Sequence, residues 1–398
     1  MENQSGKSSG FKYRLFGDPI DCGEIDRIVA WFKNEPQFEH NTLINQFEMR
    51  WNEWLGRKFS IFCGSGSCAS LLMYNVLLLS GRLKNKKVIV PATAWSTTVS
   101  PAIQLGFEPV MCDSDPETFG LDLKHLESLL LSHNPGVVMM SQVLGIPNRM
   151  DEILSLKKRY EFILLEDASS SLGSVRKGVK VGTFGDLASF SFHYGNQLTT
   201  IDGGMVSTDD PLYYHLLLML RNNGSSEDLP PEVHEVLVRQ YDIDDTETPV
   251  VFYEPGYNFK STNLNAFIGL MQMEKVDWSI NRRSDNYRHY LRNFANIRVQ
   301  KADDPDATVS NLHFVILCKD RLERLAVERS LAEKQIETKI FSAGNLGRHP
   351  FWTHRYGHPK LANADRLFET GLLIPNCPTM VQGNIDFISE VVLQAIKR

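Results

Sequence analysis

Residues 162–171 read Phe-Ile-Leu-Leu-Glu-Asp-Ala-Ser-Ser-Ser. Four apolar residues run without alternation into two carboxylates and a small polar loop. A short continuous apolar run is the pattern of a strand buried on both faces. The same pattern recurs along the chain. Lys58–Cys63 gives way to Gly64-Ser65-Gly66-Ser67, and Lys87–Val90 runs into Pro91. Pro109–Cys112 stops at Asp113, and Gly136–Met140, Leu187–Phe192 and Met205–Ser207 follow. Helical stretches lie between them, such as the mostly apolar Cys68–Ser80, closed by Gly81. This alternation predicts an α/β chain with a large, mostly parallel sheet covered on both faces. Such sheets bind ligands beyond the carboxyl ends of their strands. The loops to watch are therefore 64–67, 91–98, 166–171 and 193–204.

Outward from this core, Asn41–Leu55 reads as an amphipathic helix, with Leu43, Phe47, Trp51 and Leu55 on one face. Asn41 or Thr42 can cap it and Gly56 can end it. Residues 225–249 are acidic and interrupted by Pro230-Pro231, as in a loop or a mobile helical insertion. Asn263–Val276 reads as a helix leading into a second region. There Asn311–Leu317 is a strand candidate and Arg321–Gln335 a helix candidate. The expected organisation is a loose terminus at 1–15, a large α/β domain at 16–276 and a smaller C-terminal α+β domain at 277–398.

The 398 residues carry a net charge of −6, with 42% hydrophobic and 23% charged residues. That composition excludes a disordered chain and argues against a nucleic-acid binder with a general basic face. No apolar run is long enough for a membrane span. Met1–Gly10 is polar and lacks the apolar centre of a signal peptide, so a cytoplasmic protein is expected. The six cysteines, Cys22, Cys63, Cys68, Cys112, Cys318 and Cys377, show no metal-type pairing and read as reduced buried thiols.

Three features carry chemistry. Gly64-Ser65-Gly66-Ser67 lies between a strand and a helix, where free amides and the positive helix end suit a phosphate; a tight turn is the plainer reading. Asp167 ends a buried strand, where it either caps a following helix or pairs with a cationic ligand nitrogen. Trp95, after another strand, either fills the core or offers a flat surface to an aromatic ligand. Together these three describe a pyridoxal phosphate (PLP) pocket, in which a carboxylate keeps the pyridine nitrogen protonated.

With those residues in place, the chain resembles the DegT/DnrJ/EryC1/StrS sugar aminotransferase family of fold-type I PLP enzymes. The resemblance rests on GSGSCASLL from Gly64, VIVPATAWSTT from Val88, LLEDASSSLG from Leu164, GTFGDLASFSF from Gly182, TTIDGGMVSTDD from Thr199 and GYNFKSTNLNAFIGLMQMEKVD from Gly256. It implies that Gly66, Ser67 and Cys68, with Ser191, hold the cofactor phosphate. It further implies that Trp95 stacks on the ring, that Asp167 pairs with its nitrogen, and that Asn258 reaches the phosphate of a neighbouring subunit in a homodimer.

The family's cofactor-bearing lysine lies seven residues before the first glycine of its acidic-Gly-Gly turn. Counting back from Gly203 gives Asn196, inside His193-Tyr194-Gly195-Asn196-Gln197. An amide has no basicity near neutral pH and cannot play that part. The chain resembles more closely the lysine-less sugar 3-dehydratases of the GDP-4-keto-6-deoxymannose 3-dehydratase kind, which place histidine there. Trp95-Ser96-Thr97-Thr98 and Ser342–Pro350 match that subgroup. Ser170 departs from its acidic residue and from the aminotransferases' glutamine, and Lys260 and Lys339 stand where arginines are common. The resemblance implies C3 dehydration of a nucleotide-linked 4-keto-6-deoxyhexose, using PLP or its amine form pyridoxamine phosphate (PMP) with L-glutamate as amine donor. An aminotransferase and a non-catalytic binding relative are the alternatives. Asn196 then has three readings: an engineered replacement of Lys or His, a native residue with His193 moving the proton, or the mark of a pseudoenzyme.

Overall fold

The apolar runs become strands of one sheet in the computed structural model, which describes residues 10–34, 42–244, 246–341 and 344–397. In chain order these are β1 (Phe59–Cys63), β2 (Lys87–Pro91), β3 (Glu108–Cys112), β4 (Val137–Ser141) and β5 (Ile163–Asp167). A hairpin of β6 (Val175–Arg176) and β7 (Val179–Lys180) precedes β8 (Leu187–Ser191) and β9 (Gly204–Thr208). The large sheet has seven strands in the order β1-β9-β8-β5-β4-β2-β3. Strand β9 pairs antiparallel with β1 and β8, and every other neighbouring pair is parallel. The mostly parallel sheet expected from the sequence is present.

Continuous apolarity has a direct cause, because helices cover both faces. The helices that position the site are α1 (Cys22–Lys33), α2 (Thr42–Leu55), α3 (Gly66–Leu79) and α4 (Ser96–Gln104). Helices α3, α4 and Pro211–Arg221 pack on Ile61, Val88, Val90 and Leu165. Helix α2 packs on Phe62 and Phe190 from the other side through Phe47, Trp51 and Leu55. Leu43 is half-buried, and Asn41 lies outside the described residues.

A second sheet holds β10 (Arg298–Val299), β11 (Phe314–Leu317), β12 (Lys339–Ile340) and β13 (Gly371–Ile374) in the order β10-β11-β13-β12. All its pairs are antiparallel, and Tyr290, Phe294, Val327 and Ile388 of the covering helices bury it.

Several boundaries differ from the sequence reading. The helix expected over 263–276 stops at Met273, and a new one starts at Val276. Lys275 (φ −116°, ψ 6°) turns the chain between them, and its ammonium is held by the Pro19 carbonyl at 3.0 Å and Glu24 at 2.7 Å. Residues 1–9 lie outside the described residues, but 12–15 are docked rather than loose. The amides of Lys12 and Tyr13 donate to the Gln335 carbonyl, and Leu15 is buried. The helix expected to reach Gln335 ends at Glu333, because Gln335 takes a left-handed φ of 57°. The 225–249 segment contains the helix Pro231–Tyr241, which buries none of its residues. All six cysteines are free; Cys63, Cys112, Cys318 and Cys377 are buried, but Cys68 is only half-buried and Cys22 is exposed at the start of α1. Among the described residues no helix is long and apolar enough to cross a membrane.

Candidate active site

The site is assembled where β1, β2, β4, β5 and β8 end. After β1, the Gly64 amide donates to the Phe259 carbonyl at 2.8 Å. Ser65 is fully extended (φ −166°, ψ 165°) and caps α3, its Oγ accepting the Cys68 amide at 3.2 Å. The first amides of a helix have no intrahelical acceptor and carry the positive end of its dipole. Gly66 brings them flush with the end of β8: a Cβ there would lie 2.5 Å from the Ser191 Cβ. Ser67 and Ser191 line the same cavity beside those amides, which together form a cup suited to a phosphate.

Trp95 occupies the cap position of α4 without a side-chain cap bond and is 57% exposed. That exposure rules out the core-filling reading. The Lys339 ammonium lies 5.8 Å from its ring centroid.

Glu166 and Asp167 are adjacent on β5, so they point to opposite faces. Glu166 is consumed by structure: its carboxylate accepts from Gln142 Nε2 and from the amides of Gly182, Phe184 and Gly185, at 2.7–3.1 Å. Asp167 is also buried, yet it accepts only the Thr98 hydroxyl and the Ser169 amide. No helix follows it, so the helix-cap reading falls. Among the described residues no cation pairs with it, although a buried carboxylate is costly without one.

Between β8 and β9, the Asn196 amide donates to the His193 carbonyl at 2.9 Å, and its side chain donates to the Ser191 carbonyl at 2.8 Å. Residue 196 is thereby folded back onto the strand that ends at the phosphate cup. His193 is exposed, and its Nδ1 accepts the Gly195 amide at 3.3 Å. Ser170 Oγ donates to the Gln142 carbonyl and accepts the Leu144 amide. That pins Leu144 in a left-handed conformation at φ 54°.

One cavity of about 600 Å³ gathers eight of the ten residues singled out from sequence: Gly66, Ser67, Trp95, Asp167, Ser170, Ser191, His193 and Asn196. Two lie elsewhere. Cys68 is turned into α3, where its sulfur accepts the Ser65 hydroxyl at 3.2 Å. Asn258 is exposed, on a segment that pairs with Asn222. The sequence reading missed Phe16, His313, Lys339 and Phe341 as cavity walls. They come from the terminus and the second sheet; the alternation around Asn311–Leu317 hinted at His313, and Lys339 was marked only as a residue standing where arginines are common. Residues 342 and 343 of the Ser342–Pro350 match lie outside the described residues. Another cleft, of about 510 Å³, lies at the amino ends of β5 and β8. Most of its charges neutralise one another, as Arg57–Asp209, Arg82–Asp210 and Lys157–Asp186, leaving the Glu161 carboxylate at its rim.

The model of the DegT/DnrJ/EryC1/StrS aminotransferase family matches residues 20–393. The chain belongs to this family. Within it, the chain is 30% identical over 334 residues to GDP-4-keto-6-deoxy-D-mannose 3-dehydratase of Yersinia pseudotuberculosis, covering 83% of each sequence. Among solved structures it is similar to the Escherichia coli GDP-4-keto-6-deoxy-D-mannose-3-dehydratase with bound hydrated PLP, at a TM-score of 0.87 and 27% identity over 96% of this chain and 99% of that one. A His-to-Asn mutant of such a dehydratase with bound GDP-perosamine gives a TM-score of 0.86 at 27% identity, over 96% and 100%. The family's cofactor fits the residues present. The Gly66 cradle admits a phosphate, and the unpaired Asp167 awaits a cationic ring nitrogen.

Proposed function

We propose that this chain is a PLP/PMP-dependent enzyme of deoxysugar biosynthesis that removes the C3 hydroxyl of a nucleotide-linked 4-keto-6-deoxyhexose, with L-glutamate as amine donor. The observation that carries the reading is the cavity itself: it keeps a phosphate cup, an aromatic platform and an unpaired carboxylate, while the turn between β8 and β9 presents the Asn196 amide instead of a lysine. A sugar aminotransferase needs an amine there. The dehydratase to which the chain is similar retains a nucleotide sugar when its own histidine is replaced by asparagine.

When bound, the cofactor supplies an amine for the sugar carbonyl and a ring that accepts the electrons released beside it. The chain's residues prepare the site for that chemistry. Asp167 would hold the proton on the ring nitrogen. The amides of Gly66 and Ser67, with the hydroxyls of Ser67 and Ser191, would fix the phosphate. Trp95 would support the ring face, and Asn258 would complete the phosphate site of a second subunit in a cytoplasmic homodimer. Asn196 can orient a group by hydrogen bonding but cannot remove a proton near neutral pH. The chain as it stands is therefore expected to bind cofactor and substrate and to turn over poorly.

Restoring a base tests this. The protein is incubated with PLP, glutamate and GDP-4-keto-6-deoxymannose, and products are read by mass spectrometry. Asn196→His is expected to yield the 3-deoxy sugar nucleotide, raising the rate on the order of 10²–10⁴-fold, the usual worth of a placed general base. An amino sugar as the main product of Asn196→Lys, with none of the 3-deoxy product from Asn196→His, would establish the aminotransferase reading. No product from either would leave a binding protein.

A further inference from the structure

His313 walls the cavity, and nothing in the reaction outlined above uses it. It stands just ahead of β11 and is only 4% exposed. Its Nδ1 is enclosed without a hydrogen-bond partner, and neither ring nitrogen bonds to a described residue. Native interiors rarely leave a buried polar atom unpaired. Because Nδ1 is closed off, Nε2 is the nitrogen open to a ligand.

The ring is also held in place. Phe16 packs edge-on against it, with centroids 4.9 Å apart. The same Phe16 presses on Gly195, where a Cβ would come within 2.7 Å of its ring. His313 therefore stands one aromatic ring away from the turn that carries Asn196. Burial pushes its pKa down to about 3, and the nearby charges of Arg283 and Lys339 push the same way. It is a neutral imidazole at any working pH. A neutral imidazole pairs naturally with a hydroxyl or carbonyl. An anionic group would favour the charged form, and Lys339 already supplies the cavity's cation.

We propose that His313 is a positioning residue for the substrate: its Nε2 hydrogen-bonds a hydroxyl of the hexose ring and fixes the rotation of the sugar against the cofactor. The inference rests on the sugar-nucleotide reading and extends it to a residue of the second sheet.

The test is calorimetry on the PLP-loaded full chain with GDP-perosamine, its dTDP-linked counterpart, and GDP and dTDP alone. Wild-type protein is measured first. If it binds neither sugar nucleotide, the sugar-nucleotide reading falls, and the role of His313 falls with it. If it binds one, His313→Leu is expected to weaken that sugar nucleotide about 10-fold or more, the worth of one hydrogen bond to a buried group. Affinity for the free nucleotide and the cofactor absorbance should stay unchanged. His313→Gln, which keeps a donor and an acceptor, should stay within about 3-fold of the wild-type protein. Equal losses for free nucleotide and sugar nucleotide, or no loss in His313→Leu, would overturn the proposal. Should the leucine variant fail to fold, a crystal structure of the wild-type complex decides. A sugar hydroxyl about 2.7–3.2 Å from Nε2 supports the role, and a water or nothing at that position sinks it.

Discussion

Glu166 and Asp167 are neighbours with identical chemistry and unrelated tasks. The alternation of a strand sends one into a ring of four donors and the other into a cavity where no described cation pairs with it. Asp167 was legible from sequence because it ends an apolar run, and Trp95 because it follows one. His313 was not legible: nothing local distinguishes it from a core histidine, and it becomes a cavity wall only because Phe16 and Lys339 arrive from distant parts of the chain. Its burial has a consequence at this scale. Its folded-state pKa of about 3 lies below the ordinary value of 6.5, chiefly through desolvation. As pH falls below 6.5 the unfolded chain takes up the proton and the folded chain does not. Stability is therefore retained above pH 6.5 and lost on going down, by about 1.4 kcal/mol per pH unit from this one group. Denaturant unfolding at pH 7 and pH 5 measures it. His313→Gln should unfold with a distinctly smaller difference between the two pH values, and an equal difference would refute the account.

At the scale of elements, the strands of the large sheet were legible to within about a residue because full burial leaves an uninterrupted apolar signature. Breaks between helices were less so. The stop at Met273 depends on Lys275 being captured by Pro19 and Glu24, a contact no local pattern announces. The junction of α3 with β8 is the element contact on which the phosphate cup depends. Gly66 is there because any Cβ would collide with Ser191, at 2.5 Å from its Cβ and 2.8 Å from its Oγ. Gly66→Ala is expected to push the helix start away from the strand, costing about 1–3 kcal/mol of stability as an overpacked contact does. Cofactor retention should suffer more than stability, since the amides and both hydroxyls lose their common focus. Thermal unfolding and the PLP absorbance of the dialysed variant test the two effects separately. Retention equal to that of the unchanged protein would show that the cup lies elsewhere.

For the whole molecule, the sequence conveyed the two-sheet plan but not how the second sheet and the docked 12–16 segment close the cavity, because contacts across hundreds of residues leave no periodic trace. Asn258 raises the same question between chains. It is exposed, and it is absent from the walls of its own chain's cavity. If it completes a neighbour's phosphate site, the damage done by Asp167→Asn and by Asn258→Ala falls on different subunits of each site. Each variant alone should lose PLP, with Asp167→Asn weakening it by about 3 kcal/mol, the penalty for breaking a buried charge pair. Co-expressed with separate tags, the two form mixed dimers in which one site carries both defects and the other carries neither. About a quarter of all sites then regain the cofactor, as two-fold symmetry with random pairing requires. Absorbance of the doubly purified mixed species would show one tightly held PLP per dimer. No recovery would place Asn258 within its own subunit's site, full PLP retention by Asn258→Ala alone would place it outside any site, and a monomer in light scattering would remove the shared site altogether.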